Sequence, residues 1–331
     1  MQVIAGDVGG TKTLLARCEV SGASVRVLHA ERVESRGYAR FEDLLRAVAP
    51  RLGAHTAEAV CLGVAGPVED NRCRATNLPW TLDARDVAAT LGLSRGWLVN
   101  DFYAAAAGVE ALTAESLVTL QAGAPRDDAP RVVIGAGTGL GEALLVPVEG
   151  RWVCVPGEGG HADFAPRTAR EQRLASRLAV RYGRVSWERV VSGMGLADIY
   201  AFLRDDEGLA ESPAVAEAMR EGDAGAVIGA RALAGDDGLC AETVALFLGA
   251  YGAEAGNAAL RSLARGGVYL AGGIAAKILP LMQNGLFLGG FCDKGRMSDL
   301  ARAMPVHVVT DDALGLKGAA GTAASRVSLG A

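Results

Sequence analysis

A strand that runs into a Gly/Thr turn and returns as a second strand occurs twice in this chain, and that repetition constrains the fold more than any other feature. Val3-Ile4-Ala5 leads into Gly6-Asp7-Val8-Gly9-Gly10-Thr11. Leu14, Ala16, Cys18 and Val20 then alternate with Leu15, Arg17 and Glu19, a period of two that reads as a β-hairpin. Arg131-Val132-Val133-Ile134 runs in the same way into Gly135-Ala136-Gly137-Thr138-Gly139-Leu140-Gly141 and a strand from Glu142 to Val148. Two copies of one unit predict a duplicated α/β architecture, two lobes with the glycine turns facing one another across a cleft. The length of 331 residues exceeds what a single core usually serves, and 50% apolar residues suffice to fill two.

Other elements follow from periodicity. Val25 to Leu28 is a third strand, and Phe41, Leu44, Leu45, Val48 and Leu52 mark an amphipathic helix. Ala59 to Val64 reads as a buried strand, Leu82-Asp83 as the start of a helix through Leu91, and Trp97-Leu98-Val99 as a strand ending at Asn100-Asp101. Later come a long helix from Glu242 to Ala264, a strand at Val268-Tyr269-Leu270 capped by Gly272-Gly273, a last strand at Val306 to Val309, and a terminal helix from Leu314 to about Arg326. A Gly-, Pro- and Asp-rich stretch from Gln121 to Pro130 is expected to separate the halves.

The two turns suit a phosphate. Glycines let it approach backbone N–H groups, Thr11 and Thr138 add hydroxyl donors, and Asp7 could hold Mg²⁺ through water. Neither turn is a Walker loop, and neither opens a helix as a dinucleotide fingerprint does. A single turn of this kind is equally an ordinary glycine hairpin, whereas two in equivalent places can clamp a triphosphate. Gly272-Gly273 would let an adenine and ribose lie against the chain, or is a plain strand-to-helix turn. A net charge of −5 without a basic run speaks against a nucleic-acid partner. The longest apolar neighbourhood, Val244 to Tyr251, is far shorter than the ~20 residues a bilayer requires. The first residues have no signal-peptide pattern, and the six cysteines have no metal-ligand spacing, so a cytoplasmic protein with reduced thiols is expected.

The sequence resembles the bacterial glucokinase family, within the larger sugar kinase, Hsp70 and actin superfamily, over nearly its whole length. The resemblance rests on the two glycine turns, Val99-Asn100-Asp101-Phe102, the run from Pro156 through Gly157-Glu158-Gly159-Gly160-His161 to Phe164, Glu188 to Gly193, Leu270 to Ile274 and Asp293 to Arg296. Two positions depart from the common pattern. Lys12 stands where many of these kinases carry Asn, as in the related ROK kinases, whose cysteine-rich zinc signature is missing here. Met194 replaces a residue that is often Pro.

The resemblance implies a duplicated actin-like ATPase (ribonuclease H-like) fold, with a small lobe over 1–110 completed by 312–331 and a large lobe over 111–311. It implies ATP-dependent phosphorylation of glucose, ATP and Mg²⁺ as cofactors, a homodimer, and small-molecule sugar and nucleotide partners. Asp101 is the expected base. Asn100, Asp101, Glu158, His161 and Glu188 are the expected sugar contacts, and Gly6 to Thr11, Gly137, Thr138, Gly139, Gly272 and Gly273 the ATP contacts. Read as residues alone, Asn100-Asp101 fits a helix N-cap equally well, His161 a structural histidine, and Glu158 and Glu188 solvated carboxylates. A kinase for another hexose and an actin-like ATPase that needs no sugar are the alternative activities.

Overall fold

The computed structural model of the chain describes residues 1–76 and 78–330. The chain forms two compact units, Met1–Ser116 with Asp311–Ala331, and Leu117–Thr310. The stretch from Gln121 to Pro130, expected to be a linker, lies inside the second unit. Gln121 pairs with Val306, and the Ala124 amide donates to the Ala303 carbonyl at 2.8 Å.

The first unit is built on strands β1 (Gln2–Val8), β2 (Lys12–Ser21), β3 (Ser24–Glu34) and β4 (Val60–Val64). Short strands β5 (Val68–Glu69), β6 (Arg72–Arg74) and β7 (Thr81–Asp83) form a side sheet, and β8 (Gly96–Asn100) completes the main one in the order β3-β2-β1-β4-β8. Helices α1 (Phe41–Leu52), α2 (Ala84–Thr90) and α3 (Asp101–Gly108) belong here, with the terminal helix Leu314–Ser328. Alternate side chains of the central strands serve two cores. Ile4, Leu62 and Leu98 pack with Phe41, Leu44, Leu45 and Val48, all five stripe residues of α1 being buried. Val3, Ala5, Cys61, Trp97 and Val99 pack with Leu316, Ala319, Ala320 and Ala323 of the terminal helix. A sheet covered on both faces explains why Leu15, expected beside Arg17 and Glu19 on a polar face, is fully buried. Leu82-Asp83 ends a strand rather than starting a helix, and the Asp83 carboxylate caps α2 by accepting the Arg85 amide at 2.9 Å.

The second unit contains β9 (Leu117–Gln121), β10 (Arg131–Ala136), β11 (Leu140–Val148), β12 (Arg151–Gly157), β13 (Gly267–Ala271) and β14 (Val306–Val309) in the order β12-β11-β10-β13-β14-β9. Antiparallel pairs β10/β11 and β11/β12 and parallel pairs β10/β13 and β13/β14 reproduce the pattern of β1/β2, β2/β3, β1/β4 and β4/β8. The duplication read from the glycine turns is thus a duplication of sheet topology. Its helices are α4 (Ala169–Tyr182), α5 (Gly193–Asp205), α6 (Pro213–Glu221), α7 (Ala224–Ala234), α8 (Gly238–Ser262), α9 (Gly273–Lys277), α10 (Leu279–Met282), α11 (Leu286–Cys292) and α12 (Ser298–Arg302), which makes the terminal helix α13. The long helix α8 starts before the expected Glu242 because Asp237 caps it, accepting the Cys240 amide at 2.8 Å. No helix among the described residues is long and apolar enough to cross a membrane.

Helices α3 and α13 touch backbone to backbone: a Cβ on Gly318 would land on the Ala104 carbonyl oxygen, and one on Gly108 on that of Leu314. Gly318→Val should therefore destabilise the first unit by about 1–3 kcal/mol through overpacking. Gly321→Ala, on the same helix with open space where its Cβ would lie, should be stabilising by up to about 1 kcal/mol through helix propensity. Denaturant midpoints measure both, and equal effects at the two glycines would contradict the packing described.

Candidate active site

The first glycine turn is shorter than the motif. Gly6, Asp7 and Val8 belong to β1, and the connection to β2 is only Gly9-Gly10-Thr11. Gly6 is a packing glycine, since a Cβ there would lie 2.6 Å from both Leu15 and Leu62, and Val8 is core. Gly6 and Val8, expected as nucleotide contacts, thus also pack the core behind the turn. The turn is fastened from behind by two buried hydroxyls that sequence inspection did not single out. Ser35 donates its hydroxyl to the Gly9 carbonyl at 2.8 Å and its amide to the Thr11 carbonyl at 2.8 Å, while Thr13 Oγ1 lies 2.9 Å from Ser35 Oγ. Both side chains are completely buried. The sequence signals neither: Thr13 shares the phase of Leu15, Arg17 and Glu19, and Ser35 sits in a polar run, Glu34-Ser35-Arg36. Thr11 faces solvent, and Lys12 pairs with Glu34 at 3.7 Å on the surface.

Asp7 leaves the end of β1, and Asn100-Asp101 marks the junction of β8 and α3. Between them lies Gly63 of β4, where a Cβ would meet Ala104 Cβ at 3.0 Å and Asp101 Cα at 3.6 Å. This glycine lets α3 start close to β1. Asn100 takes the N-cap: its Oδ1 accepts the amides of Phe102 at 2.9 Å and Tyr103 at 3.1 Å, and its Nδ2 donates to the Gly66 carbonyl at 3.3 Å. Asp101, the first helical residue, is exposed, and its Oδ1 accepts the Phe102 amide at 2.9 Å. Asn100 thus carries the cap, and the Asp101 side chain beside it stays exposed.

Asp7 reaches solvent, yet protein surrounds its carboxyl closely enough that burial raises its proton affinity, and the negative charge of Asp101 adds to the rise. The first turn of α13 lies beside it, a Cβ on Gly315 falling 3.9 Å from Asp7 Oδ2, so the positive end of that helix faces the carboxyl. Asp311 anchors that end by accepting the Ala313 amide at 2.9 Å and pairing with Lys317 at 2.6 Å.

In the second unit Gly135 and Ala136 end β10, and the turn is Gly137-Thr138-Gly139. Its fastening follows the logic of the first turn. The Gly193 amide donates to the Gly137 carbonyl at 2.8 Å, and Glu188 Oε2 accepts the Leu140 amide at 3.0 Å. Ser192, fully buried, caps α5 through the Gly195 amide at 3.0 Å and donates to the Glu188 carbonyl at 2.7 Å. Glu188, expected as a sugar contact, therefore holds the turn with one carboxylate oxygen. A Cβ on Gly137 would meet nothing within 4 Å, so the protein's own packing does not demand glycine there. Gly272 follows β13 with φ +81°, and its Cβ would lie 2.5 Å from the Ala136 carbonyl oxygen, which brings Gly272-Gly273 alongside the turn.

Glu158 and His161 flank the single helical turn Gly159–His161, both exposed, with His161 Nε2 3.9 Å from Glu158 Oε2. Close approach of Gly160 to the Leu140 carbonyl seats this segment against the exit of the glycine turn. The Trp187 amide donates to the Ala162 carbonyl at 2.9 Å, and Phe164 meets the Trp187 ring edge-on at 4.9 Å, tying the segment to Glu188. The second unit thus gathers its glycine turn, Glu158, His161 and Glu188 in one place, and the first gathers its turn, Asp7, Asn100 and Asp101.

A family model described as Glucokinase matches residues 4–326. A glucokinase of Trichormus variabilis is 44% identical, over 96% of this chain and 97% of that protein. Among solved structures, a glucokinase from an Antarctic psychrotroph superposes with a TM-score of 0.86 at 27% identity, covering 98% of this chain and 99% of that one. A ROK-family glucokinase of Streptomyces griseus, in complex with glucose and AMPPNP, gives a TM-score of 0.64 at 23% identity, covering 98% and 100%. These neighbours share the duplicated actin-like ATPase fold.

The strained Asp7 carboxyl has a consequence for stability. Its proton affinity is raised on folding, so its contribution is fully present below the ordinary value of 3.8 and is lost as pH rises through the folded value. Asp7→Asn, which keeps the shape without the charge, should melt at a higher temperature than the native protein at pH 7, and the gap should close toward pH 4. A variant no more stable than the native chain at pH 7 would contradict this charge balance.

Proposed function

The chain belongs to the glucokinase family, and we propose that it transfers the γ-phosphoryl group of ATP to the 6-hydroxyl of glucose, with Asp101 as the base. The observation that carries the assignment of the base is the division of labour at the start of α3: Asn100 satisfies the helix amides, and Asp101 stands beside Asp7 with an exposed carboxylate. In this reading Asp101 accepts the proton of the sugar 6-hydroxyl as that oxygen bonds to the γ-phosphorus. The bond to the β,γ-bridging oxygen breaks and ADP departs, so one P–O bond forms as another is lost. Glu158, His161 and Glu188 are the proposed acceptors and donors for the other sugar hydroxyls, with the second amide hydrogen of Asn100.

The Gly9 and Gly137 amides close their own turns, onto the carbonyls of Lys12 at 3.1 Å and Gly139 at 2.8 Å. The donors proposed for the phosphates are accordingly the amides of Gly10, Thr11, Thr138 and Gly139 and the two threonine hydroxyls, aimed where charge develops. Gly272 and Gly273 are the proposed support for the nucleoside. Support for ATP as donor comes from the Streptomyces griseus neighbour, which was crystallised with an ATP analogue.

Mg²⁺ fits the residues present. Asp7 offers hard oxygen ligands whose crowding by Asp101 a divalent cation would relieve. No group of three or more ligating side chains occurs among the described residues, as suits an ion that keeps most of its water and binds through the substrate's phosphates. When bound there, through water on Asp7, it would neutralise phosphate charge. A cytoplasmic location and a homodimer are proposed on the family resemblance. The match to glucokinases across the chain favours glucose over another hexose and over a sugar-independent ATPase.

Asp101→Asn should lower kcat by roughly 10²–10⁴-fold, because an amide has no useful proton affinity near neutrality. Since the helix cap is Asn100, the thermal midpoint should hold, and calorimetric glucose affinity should change far less than kcat. A folded Asp101→Asn protein with near-normal turnover would remove Asp101 from the mechanism.

A further inference from the structure

Beneath the segment that carries Glu158 and His161 lies a buried carboxyl that the proposed reaction does not use. Glu142 of β11 pairs in register with Gly157 of β12, and its side chain fills the space left by the missing Cβ of Gly159. A Cβ at Gly159 would collide with Glu142 Oε2. The residue is only 9% exposed, and its Oε1 is buried without a hydrogen-bond partner. From α8 it faces the fully buried Glu254 and Arg261, whose Nη2 is 3.7 Å from Glu142 Oε2 but pairs more closely with Glu254. Tyr251, also on α8, donates its hydroxyl to the Ile134 carbonyl at 3.2 Å, and its proton affinity is raised by burial and by the Glu142 charge. Lys294 is committed to the Ala253 carbonyl and Asn257 Oδ1, both at 2.9 Å, and acts mainly on Glu254. Glu158 and His161, the ionisable groups of the overlying segment, are exposed.

We propose that Glu142 is a positioning residue for the sugar-contacting segment Gly157 to His161, and that ionisation of its carboxyl loosens this segment and weakens the hold on glucose. A neutral carboxyl fits the site better, with one oxygen against Gly159 and the other buried without a hydrogen-bond partner. An ionised one leaves a charge without a matching donor, next to a second carboxylate. Something must move to admit water, and the glycine segment is the lightest wall. Burial pushes the Glu142 carboxyl up to about 7, Glu254 adding to the rise and Arg261 opposing it, so the change falls near neutrality.

The inference rests on the reading that Glu158 and His161 contact the sugar, and its test separates the two. The glucose KM at saturating ATP is measured between pH 6 and 8.5 for native enzyme, Glu142→Gln, Glu142→Ala and Glu158→Ala. Hydrogen exchange of residues 157–164, corrected for intrinsic rates, is followed in the first two. The native KM should rise about fivefold across this range with little change in kcat. Glu142→Gln, locked in the neutral shape, should stay within about twofold and keep the segment protected at pH 8.5. Glu142→Ala should bind glucose weakly at every pH. Identical KM profiles for native and Glu142→Gln, or equal corrected exchange at pH 8.5, would overturn the proposal. If Glu158→Ala leaves the glucose KM unaltered, the sugar-contact reading fails instead, and the exchange comparison still decides whether Glu142 holds the segment.

Discussion

A turn that is to meet phosphates with bare backbone must be held by something other than its own side chains, and the rest of the site depends on how that is done. In the first unit the fastening is the Ser35 hydroxyl on the Gly9 carbonyl, with Thr13 behind it, all inside the core. Burial makes these bonds count: no water can replace them, so breaking one leaves an unsatisfied group rather than a rehydrated one. The second unit reaches the same end with other chemistry, an amide from Gly193 on the Gly137 carbonyl and a carboxylate from Glu188 under Leu140. Duplicated topology with different fasteners shows that the constraint acts on the backbone geometry and leaves the residues free to vary.

The site carries its negative charges at some cost in stability. Asp7 is raised by its enclosure and by Asp101, while the positive end of α13 lies close to it. Glu142 shows the same tension in the second unit, where a buried carboxyl is left with an unpartnered oxygen. Such local conflict marks functional positions more sharply than the well-packed core around them.

Features set by short-range periodicity were legible in the sequence. The α1 stripe and the repeated strand-turn-strand unit follow from 3.6-residue and two-residue spacing, and the structure places them as expected. What failed to show was whatever depends on distant neighbours. Gly6 reads like a phosphate-turn glycine, and only Leu15 and Leu62 reveal it as a packing residue. Asp83 looks like a helix residue until β7 is seen to end on it. Ser35 is invisible among surface-like neighbours, and Glu142 looks like an ordinary polar residue of an alternating strand until Gly159 and Glu254 close around it. For Asn100-Asp101 the sequence left cap and sugar site as rivals, and the structure assigns the N-cap to Asn100, with Asp101 next to it as the exposed first residue of α3.

The central claim is that this protein moves a phosphoryl group from ATP to a sugar hydroxyl and not to water. The most direct measurement follows the purified protein with ATP, Mg²⁺ and glucose by phosphorus and proton NMR, counting products over time. The account predicts glucose 6-phosphate and ADP in equal amounts, with negligible inorganic phosphate and almost no ADP when glucose is withheld. ADP and inorganic phosphate formed at the same rate with and without glucose would contradict it.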